Sequence, residues 1–289
     1  MPRYIIFTDL DGTLLDHFTY SFNEASDALK IIREKGIPLI ICTSKARAEI
    51  LPIRKKLKNK APFISENGGA VYIPDRYFSF PYEFQRRIKG YRVIEIGTPH
   101  KILLNVLREI RDKTGVSIEG ISEMSVQKIM DFTFLKKRGA ELSKKREYSE
   151  PFLIYPAHNL LRRDPSQGVM CGVNERRWIN RVKKEILKLG FKFTSGGRFF
   201  HIMKGNDKGK AVKILKNLYI QKYGDIKTIG IGNSLNDIPM LKAVDIPVLV
   251  KNYDGRYEKD IKLKNLYLAD GIGPEGWNKA VYNIVSSMQ

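Results

Sequence analysis

Two carboxylates near the start of the chain, Asp9 and Asp11, have the type and spacing that phosphoryl or metal chemistry requires. They follow an apolar run at 4–7 that predicts a short buried strand. Alternation around Leu10 places both carboxylates on one side of the backbone, where they can share a cation. A polar turn with two solvated acids is the alternative, but the continuation into Gly-Thr directly after a strand favours a site.

Hydroxyl and basic side chains follow the second predicted strand, at 37–42. A predicted helix at 21–35 separates the two strands, and this strand-helix-strand order predicts a parallel sheet. Thr43, Ser44 and Lys45 therefore lie at the carboxyl end of a strand and just before a helix, where anions bind. A helix cap with surface cations would also explain them.

A glycine-rich turn follows the third predicted strand and carries Glu66, Asn67 and Gly68. Glycine there allows a ligand to approach the backbone, although a plain hairpin turn has the same composition. Much later, Lys208 begins a predicted helix, where its charge opposes the helix dipole unless an anion lies beside it. A solvated surface lysine is the alternative there.

Length and composition restrict the class of protein. A chain of 289 residues with 43% hydrophobic residues predicts two domains with sizeable cores. No apolar run is long enough for a membrane span, and no signal peptide is expected. Two cysteines predict a reducing, cytoplasmic setting. The sequence does not determine the oligomeric state, and a homodimer is compatible with it.

The net charge of +20 predicts an anionic partner. The basic residues are scattered, without a nucleic-acid-binding signature, so nucleic acid is not favoured as that partner. Small anionic substrates, or the lysine-rich surface of a heat-adapted protein, explain the charge at least as well.

The pattern of predicted secondary structure changes from about residue 84. Predicted strands and helices from there to about 202 form an α+β insert, and 156–174 reads as a long loop. The predicted organisation is a core at 1–83 and 203–289 with an inserted domain at 84–202.

The stretch Asp9-Leu10-Asp11-Gly12-Thr13 resembles the first motif of haloacid dehalogenase-like phosphatases. The resemblance implies a Rossmann-like parallel-sheet core with an inserted α+β cap of type IIB, and a Mg²⁺-dependent phosphatase. By the same resemblance Asp9 is the nucleophile and Asp11 the general acid/base. Thr43 and Lys208 match the second and third motifs, which bind the transferring phosphoryl group. The fourth motif of the family has Asp where this chain has Asn233, which predicts weakened metal affinity.

Rarer strings resemble a narrower family, the mannosyl-3-phosphoglycerate phosphatases, which make the compatible solute mannosylglycerate. They lie at 43–47, 146–150, 196–201 and 273–277. This resemblance implies a substrate with a phosphate and a carboxylate. Another sugar phosphate, or glucosyl-3-phosphoglycerate, is the alternative substrate. A basic polyanion-binding protein without activity is the alternative outside enzymes.

The expected site follows from these motifs. The expected metal ligands are Asp9, Asp11, Asn233 and Asp237, and the expected substrate-binding residues are Ser44, Lys45, Glu66, Asn67, Gly68, Arg146, Arg198, His201 and Lys204.

Overall fold

The computed structural model describes residues 2–155, 173–196 and 199–287. They form two compact units, between which helix α2 (Arg47–Lys56) is divided. The units comprise the described residues of Met1–Ser44, Arg54–Ile96 and Asp207–Gln289, and of Lys45–Ile53 and Gly97–Asn206, respectively.

The first unit contains a nine-stranded sheet in the order β13-β12-β11-β1-β2-β3-β4-β6-β5. Neighbouring strands from β13 to β3 in this order pair in parallel. The pairs β3–β4, β4–β6 and β6–β5 are antiparallel. Its strands are β1 (Arg3–Thr8), β2 (Leu39–Cys42), β3 (Phe63–Ser65), β4 (Ala70–Pro74), β5 (Arg86–Ile88), β6 (Tyr91–Glu95), β11 (Ile226–Gly232), β12 (Ile246–Lys251) and β13 (Tyr267–Ile272).

Helices flank this parallel-dominant sheet, which confirms the predicted α/β class. They are α1 (Ser26–Glu34), α7 (Lys208–Tyr223), α8 (Ile238–Leu241) and α9 (Gly273–Ser286), together with part of α2. Ile5, Ile6 and Phe7 of β1 are fully buried. A strand covered on both faces must be apolar throughout, which explains why the run at 4–7 does not alternate.

The second unit contains a four-stranded antiparallel sheet in the order β7-β8-β10-β9. Apolar side chains of α3, α6 and the sheet, among them Leu103, Val182 and Phe200, form its main core. Its strands are β7 (Ser117–Gly120), β8 (Glu150–Tyr155), β9 (Lys192–Gly196) and β10 (Phe199–Met203), and its helices are α3 (His100–Thr114), α4 (Val126–Thr133), α5 (Lys137–Ser143) and α6 (Val173–Lys188).

The boundaries of the units differ from the predicted ones. Strands β5 and β6 lie in the sheet of the first unit, because β6 pairs with β4. The inserted segment of the second unit therefore runs from Gly97 to Asn206 rather than from 84 to 202, and the unit also includes Lys45–Ile53. Most of the predicted loop, 156–172, lies outside the described residues, and its last two residues already belong to α6.

No helix within the described ranges combines the length and the apolar character that crossing a membrane would require.

Candidate active site

A buried lysine between two carboxylates forms the centre of the site in the first unit. Nζ of Lys208 donates to Oδ1 of Asp9 at 2.9 Å and to Oδ1 of Asp237 at 2.6 Å. Asp9 follows β1, Asp237 follows β11, and Lys208 begins α7. Lys208 and Asp237 are almost completely buried. The anions expected beside a lysine in a first helical turn are therefore these two carboxylates.

The electrostatics of this cluster follow from burial and proximity. Burial raises the pKa of Asp9 to about 7, the carboxylates of Asp237 and Asp11 add to the rise, and Lys208 opposes it. Burial also disfavours the ammonium of Lys208, but the carboxylates of Asp237 and Asp9 outweigh it and raise the pKa of this lysine. Lys208 therefore stays positively charged at neutral pH.

The backbone of Asp9 is held from two sides. Its amide donates to the main-chain oxygen of Ile231 at 2.9 Å. Its main-chain oxygen accepts from the hydroxyl of Thr8 at 2.7 Å, and that hydroxyl accepts from Nε1 of Trp277 at 3.0 Å. Trp277 is fully buried on α9. The string at 273–277 therefore supports the position of Asp9, a role that the sequence analysis did not assign.

A chain of hydrogen bonds fixes the carboxamide of Asn233. The hydroxyl of Thr13 donates to Oδ1 of Asn233 at 2.9 Å, and Nδ2 of Asn233 donates to Oδ1 of Asn252 at 2.7 Å. Gly12 adopts a φ of +69°, and an added Cβ there would lie 2.9 Å from Nδ2 of Asn233. Glycine is therefore needed both for the turn after Asp11 and for this close approach.

Asp237 organises the loop after β11. Its Oδ2 accepts from the amides of Asn233 at 3.0 Å and Ser234 at 3.1 Å, while its Oδ1 binds Lys208. Both oxygens of this predicted metal ligand are thus engaged by the protein. Asp237 positions Lys208 and the loop that carries Asn233.

Oxygen donors at the ends of β1 and β11 decide whether the site fits Mg²⁺. No group of three or more His, Cys, Asp or Glu side chains is arranged for a metal ion in the described parts of the chain. Mg²⁺, however, is bound by one or two carboxylates, with water and substrate oxygens completing its octahedron. Asp9 and Asp11 with the oxygen of Asn233 supply such a set.

The loop after β3 connects the second and fourth motifs. The amide of Asn67 donates to the main-chain oxygen of Thr43 at 2.9 Å, and its Oδ1 accepts from Nδ2 of Asn236 at 3.1 Å. Glu66 and Asn67 both have positive φ values, 49° and 57°. Such backbone is costly for residues other than glycine and is found at functional sites.

Gly68 in this loop has a packing role in addition to the predicted one, which stays a prediction. Its φ is +85°, and an added Cβ would lie 2.2 Å from the main chain of Asp207. The glycine thus permits close packing against the start of α7, where Lys208 lies.

Ser65, the residue at the end of β3, is fully buried, and its hydroxyl has no hydrogen-bond partner among the residues described. Ser65 was not among the predicted site residues, although a hydroxyl at the carboxyl end of a parallel strand indicates such a position.

Other predicted substrate-binding residues lie in the second unit, around Glu49. Arg146 donates to Oε2 of Glu49 at 3.2 Å and to Oγ of Ser149 at 2.9 Å, and Lys45 lies 3.8 Å from Oε1 of Glu49. The amide of Ala46 also donates to Glu49. Glu49 was not recognised in the sequence.

The remaining predicted residues are more dispersed. His201 is buried on β10, opposite Pro151 of β8 and Thr194 of β9. Lys204 is exposed, with Nζ 4.9 Å from the ring centroid of Phe191. Ser44, in the first unit, is half-buried. The predicted Arg198 lies outside the described residues.

Comparison with known proteins agrees with this geometry. The profile of the haloacid dehalogenase-like hydrolases matches residues 6–260. Two similar proteins, both named glucosyl-3-phosphoglycerate/mannosyl-3-phosphoglycerate phosphatase, come from Methanococcoides burtonii and Persephonella marina. The former is 44% identical, covering 98% of this chain and 97% of the relative, and the latter is 38% identical, covering 99% and 98%.

The fold also resembles that of a solved sugar phosphatase of haloacid dehalogenase subclass IIB. The TM-score is 0.61 at 18% identity, with 97% of each chain covered. The likeness in structure concerns the fold alone, whereas the family match spans most of the sequence. The predictions of an enzyme and of a hydrolase are confirmed, and the alternative of a polyanion-binding protein without activity is not supported. The chain belongs to the haloacid dehalogenase-like hydrolase family.

Proposed function

We propose that this hydrolase removes the phosphate from mannosyl-3-phosphoglycerate and glucosyl-3-phosphoglycerate, releasing the glycosylglycerate. The observation that carries the proposal is the buried Asp9–Lys208–Asp237 cluster at the carboxyl ends of parallel strands. Both relatives described above carry names with both substrates. Sequence identity over nearly the whole chain therefore favours action on both glycosyl esters.

In the proposed first step, Asp9 attacks phosphorus through Oδ2, since Lys208 binds Oδ1. The phosphorus–oxygen ester bond breaks, and Asp11 gives its proton to the leaving oxygen. The product of this step is an aspartyl-phosphate. In the second step Asp11, now a carboxylate, takes a proton from water while the water oxygen attacks phosphorus. The bond between phosphorus and the Asp9 oxygen breaks, which releases inorganic phosphate and regenerates the Asp9 carboxylate.

Cations and donors around Asp9 stabilise the charge on the phosphoryl group. Lys208 stays protonated and lies beside the nucleophile. Thr43, whose main chain is held by Asn67, is proposed to bind a phosphoryl oxygen. Nδ2 of Asn67 is buried and donates no hydrogen bond within the part of the chain that the structure covers, so it is available as a further donor.

The residues that would hold Mg²⁺ are Asp9, Asp11 and Asn233. When bound, Mg²⁺ neutralises growing charge on the phosphoryl oxygens and favours the ionised form of nearby carboxylates. Asp237 contributes by holding Lys208 and the Asn233 loop, and it stays a predicted ligand of the metal.

The residues proposed to bind the glycerate carboxylate lie in the second unit. They are Lys45 and Arg146, two cationic side chains beside Glu49, and an Arg can hold a carboxylate through two hydrogen bonds. His201 and Lys204 stay candidates for the same task. A cytoplasmic location and a homodimer stay predictions.

The test is phosphate release by the purified protein with Mg²⁺ from a panel of esters. The panel contains mannosyl- and glucosyl-3-phosphoglycerate, hexose 6-phosphates and sucrose phosphate. We expect the two glycosyl-3-phosphoglycerates to have the highest kcat/KM. A clear preference for another sugar phosphate, or no release from any ester, would show that the proposed function is wrong.

The Asn233→Asp substitution is expected to lower the Mg²⁺ concentration that gives half-maximal activity. A carboxylate keeps an oxygen at the same reach and adds a negative charge, which Mg²⁺ prefers. The amide of Asn252, whose Oδ1 now accepts from Nδ2 of Asn233, has to rotate and donate instead. The measurement is a Mg²⁺ titration of phosphate release. An unchanged titration would mean that position 233 is not a ligand.

A further inference from the structure

Three aromatic side chains form a cluster in the first unit, beside the loops of the proposed active site. The rings of His17 and Tyr253 are stacked, with centroids 4.5 Å apart, and Phe18 meets Tyr253 edge-on at 5.6 Å. Phe18 and Tyr253 are 42% and 45% exposed. We call these three residues the aromatic platform. Contiguous exposed apolar surface marks ligand or partner sites, whereas single exposed apolar side chains are ordinary.

The aromatic platform is continuous with the catalytic loops on two sides. An added Cβ at Gly12, the residue after Asp11, would lie 3.9 Å from Nδ1 of His17. On the other side, Tyr253 directly follows Asn252, which accepts the hydrogen bond from Asn233. Both segments continue from carboxyl ends of parallel strands, β1 and β12, where ligands of such sheets bind.

The segment that carries His17 and Phe18 is preformed. Oδ1 of Asp16 accepts from the amides of Phe18 at 3.1 Å and Thr19 at 2.7 Å, and from the hydroxyl of Thr19 at 2.7 Å. The amide of Asp16 donates to the main-chain oxygen of Ser21, which closes the segment. A turn held at so many points presents its aromatic rings without the entropy cost of ordering a loose loop on binding.

We propose that the aromatic platform binds the pyranose ring of the substrate and so selects esters that carry a sugar. The C–H face of a pyranose is apolar, and aromatic rings line sites for such ligands. This inference rests on the proposed function, since the sugar is part of the leaving group. In the proposed reaction Asp11 protonates the leaving oxygen, and Gly12, the next residue, lies close to His17. The aromatic platform is therefore adjacent to the segment that acts on the leaving group.

The experiment compares kcat/KM for mannosyl-3-phosphoglycerate with that for 3-phosphoglycerate, which has no sugar. Phe18→Leu and Tyr253→Leu are each expected to lower the value for the sugar ester by roughly three- to tenfold, the usual effect of losing an aromatic contact. The value for 3-phosphoglycerate is expected to stay unchanged. Tyr253→Phe keeps the ring and should behave as the wild type, as should Tyr282→Leu, which removes a similarly exposed tyrosine on α9. Equal losses for both esters, or none for either, would overturn the proposal.

A second measurement separates this proposal from the proposed function. Saturation-transfer NMR detects binding of mannosylglycerate, the dephosphorylated product, without any catalysis. We expect transfer to the sugar protons with the wild type and its loss in the Phe18→Leu/Tyr253→Leu variant. If the protein hydrolyses neither ester but shows this pattern, the proposed function fails and the aromatic platform stands. Absence of transfer with the wild type, or unchanged transfer with the variant, refutes the aromatic platform whatever the enzyme hydrolyses.

Discussion

Asp9→Asn is expected to lower phosphate release by at least about 10³-fold, because the variant has no oxygen that can attack phosphorus. The carboxamide still accepts the hydrogen bond from Lys208, so the surrounding contacts stay in place. The measurement is single-turnover and steady-state phosphate release with saturating Mg²⁺. If the variant retains a tenth of wild-type activity, Asp9 is not the nucleophile.

The thermal stability of the Asp9→Asn variant is the control that shows whether the variant is correctly folded. In the folded protein the pKa of Asp9 is raised from 3.8 to about 7, so the unfolded chain gives up this proton at lower pH than the native state. The free energy of unfolding therefore falls as pH rises through that interval. Asn cannot ionise, so at pH 8 in EDTA the Tm of the variant should equal or exceed that of the wild type. A lower Tm would mean that loss of activity reflects damage to the fold.

Lys208→Met is expected to lower both activity and stability. The substitution leaves Asp9 and Asp237 buried without their cation, and removing one partner of a buried ion pair costs about 3–5 kcal/mol. Activity should fall by about 10²- to 10³-fold, since the charge on the phosphoryl group loses a preorganised donor. The measurements are denaturant unfolding and phosphate release at pH 8.

The pH dependence of this variant distinguishes an electrostatic role from a packing role. Without the opposing charge of Lys208 the pKa of Asp9 rises further in the folded state, so Asp9 destabilises the fold once it ionises. The deficit relative to the wild type should therefore be smaller at pH 5.5 than at pH 8. Lys210→Met, an exposed lysine in the same helical turn, is the matched control and should change neither quantity. A Lys208→Met variant as stable as Lys210→Met at pH 8 contradicts the assignment.

Local residue patterns predicted the α/β class and the strand end that carries the carboxylate pair, whereas the phosphatase activity was implied by a resemblance of motifs. A strand buried on both faces, followed at once by Asp9 and Asp11, identifies the carboxyl edge of a parallel sheet from sequence alone, because only apolar residues are tolerated within such a strand. The placement of Lys208 in a first helical turn likewise predicted a nearby anion, since its charge opposes the helix dipole.

Tertiary structure decided which partners each of these groups has. Asp9, Lys208 and Asp237 are far apart in the chain. The pairing of β1 with β11 brings Asp9 and Asp237 together, and Lys208 reaches both from the start of α7. Tertiary structure also determines the hydrogen bond from Trp277 to Thr8 and the hydrogen bonds that both carboxylate oxygens of Asp237 accept. Strands β5 and β6 were assigned to the insert because their sequence does not reveal which sheet they extend. Hydrogen bonding between strands joins residues distant in sequence, so local periodicity specifies a strand but not its neighbour.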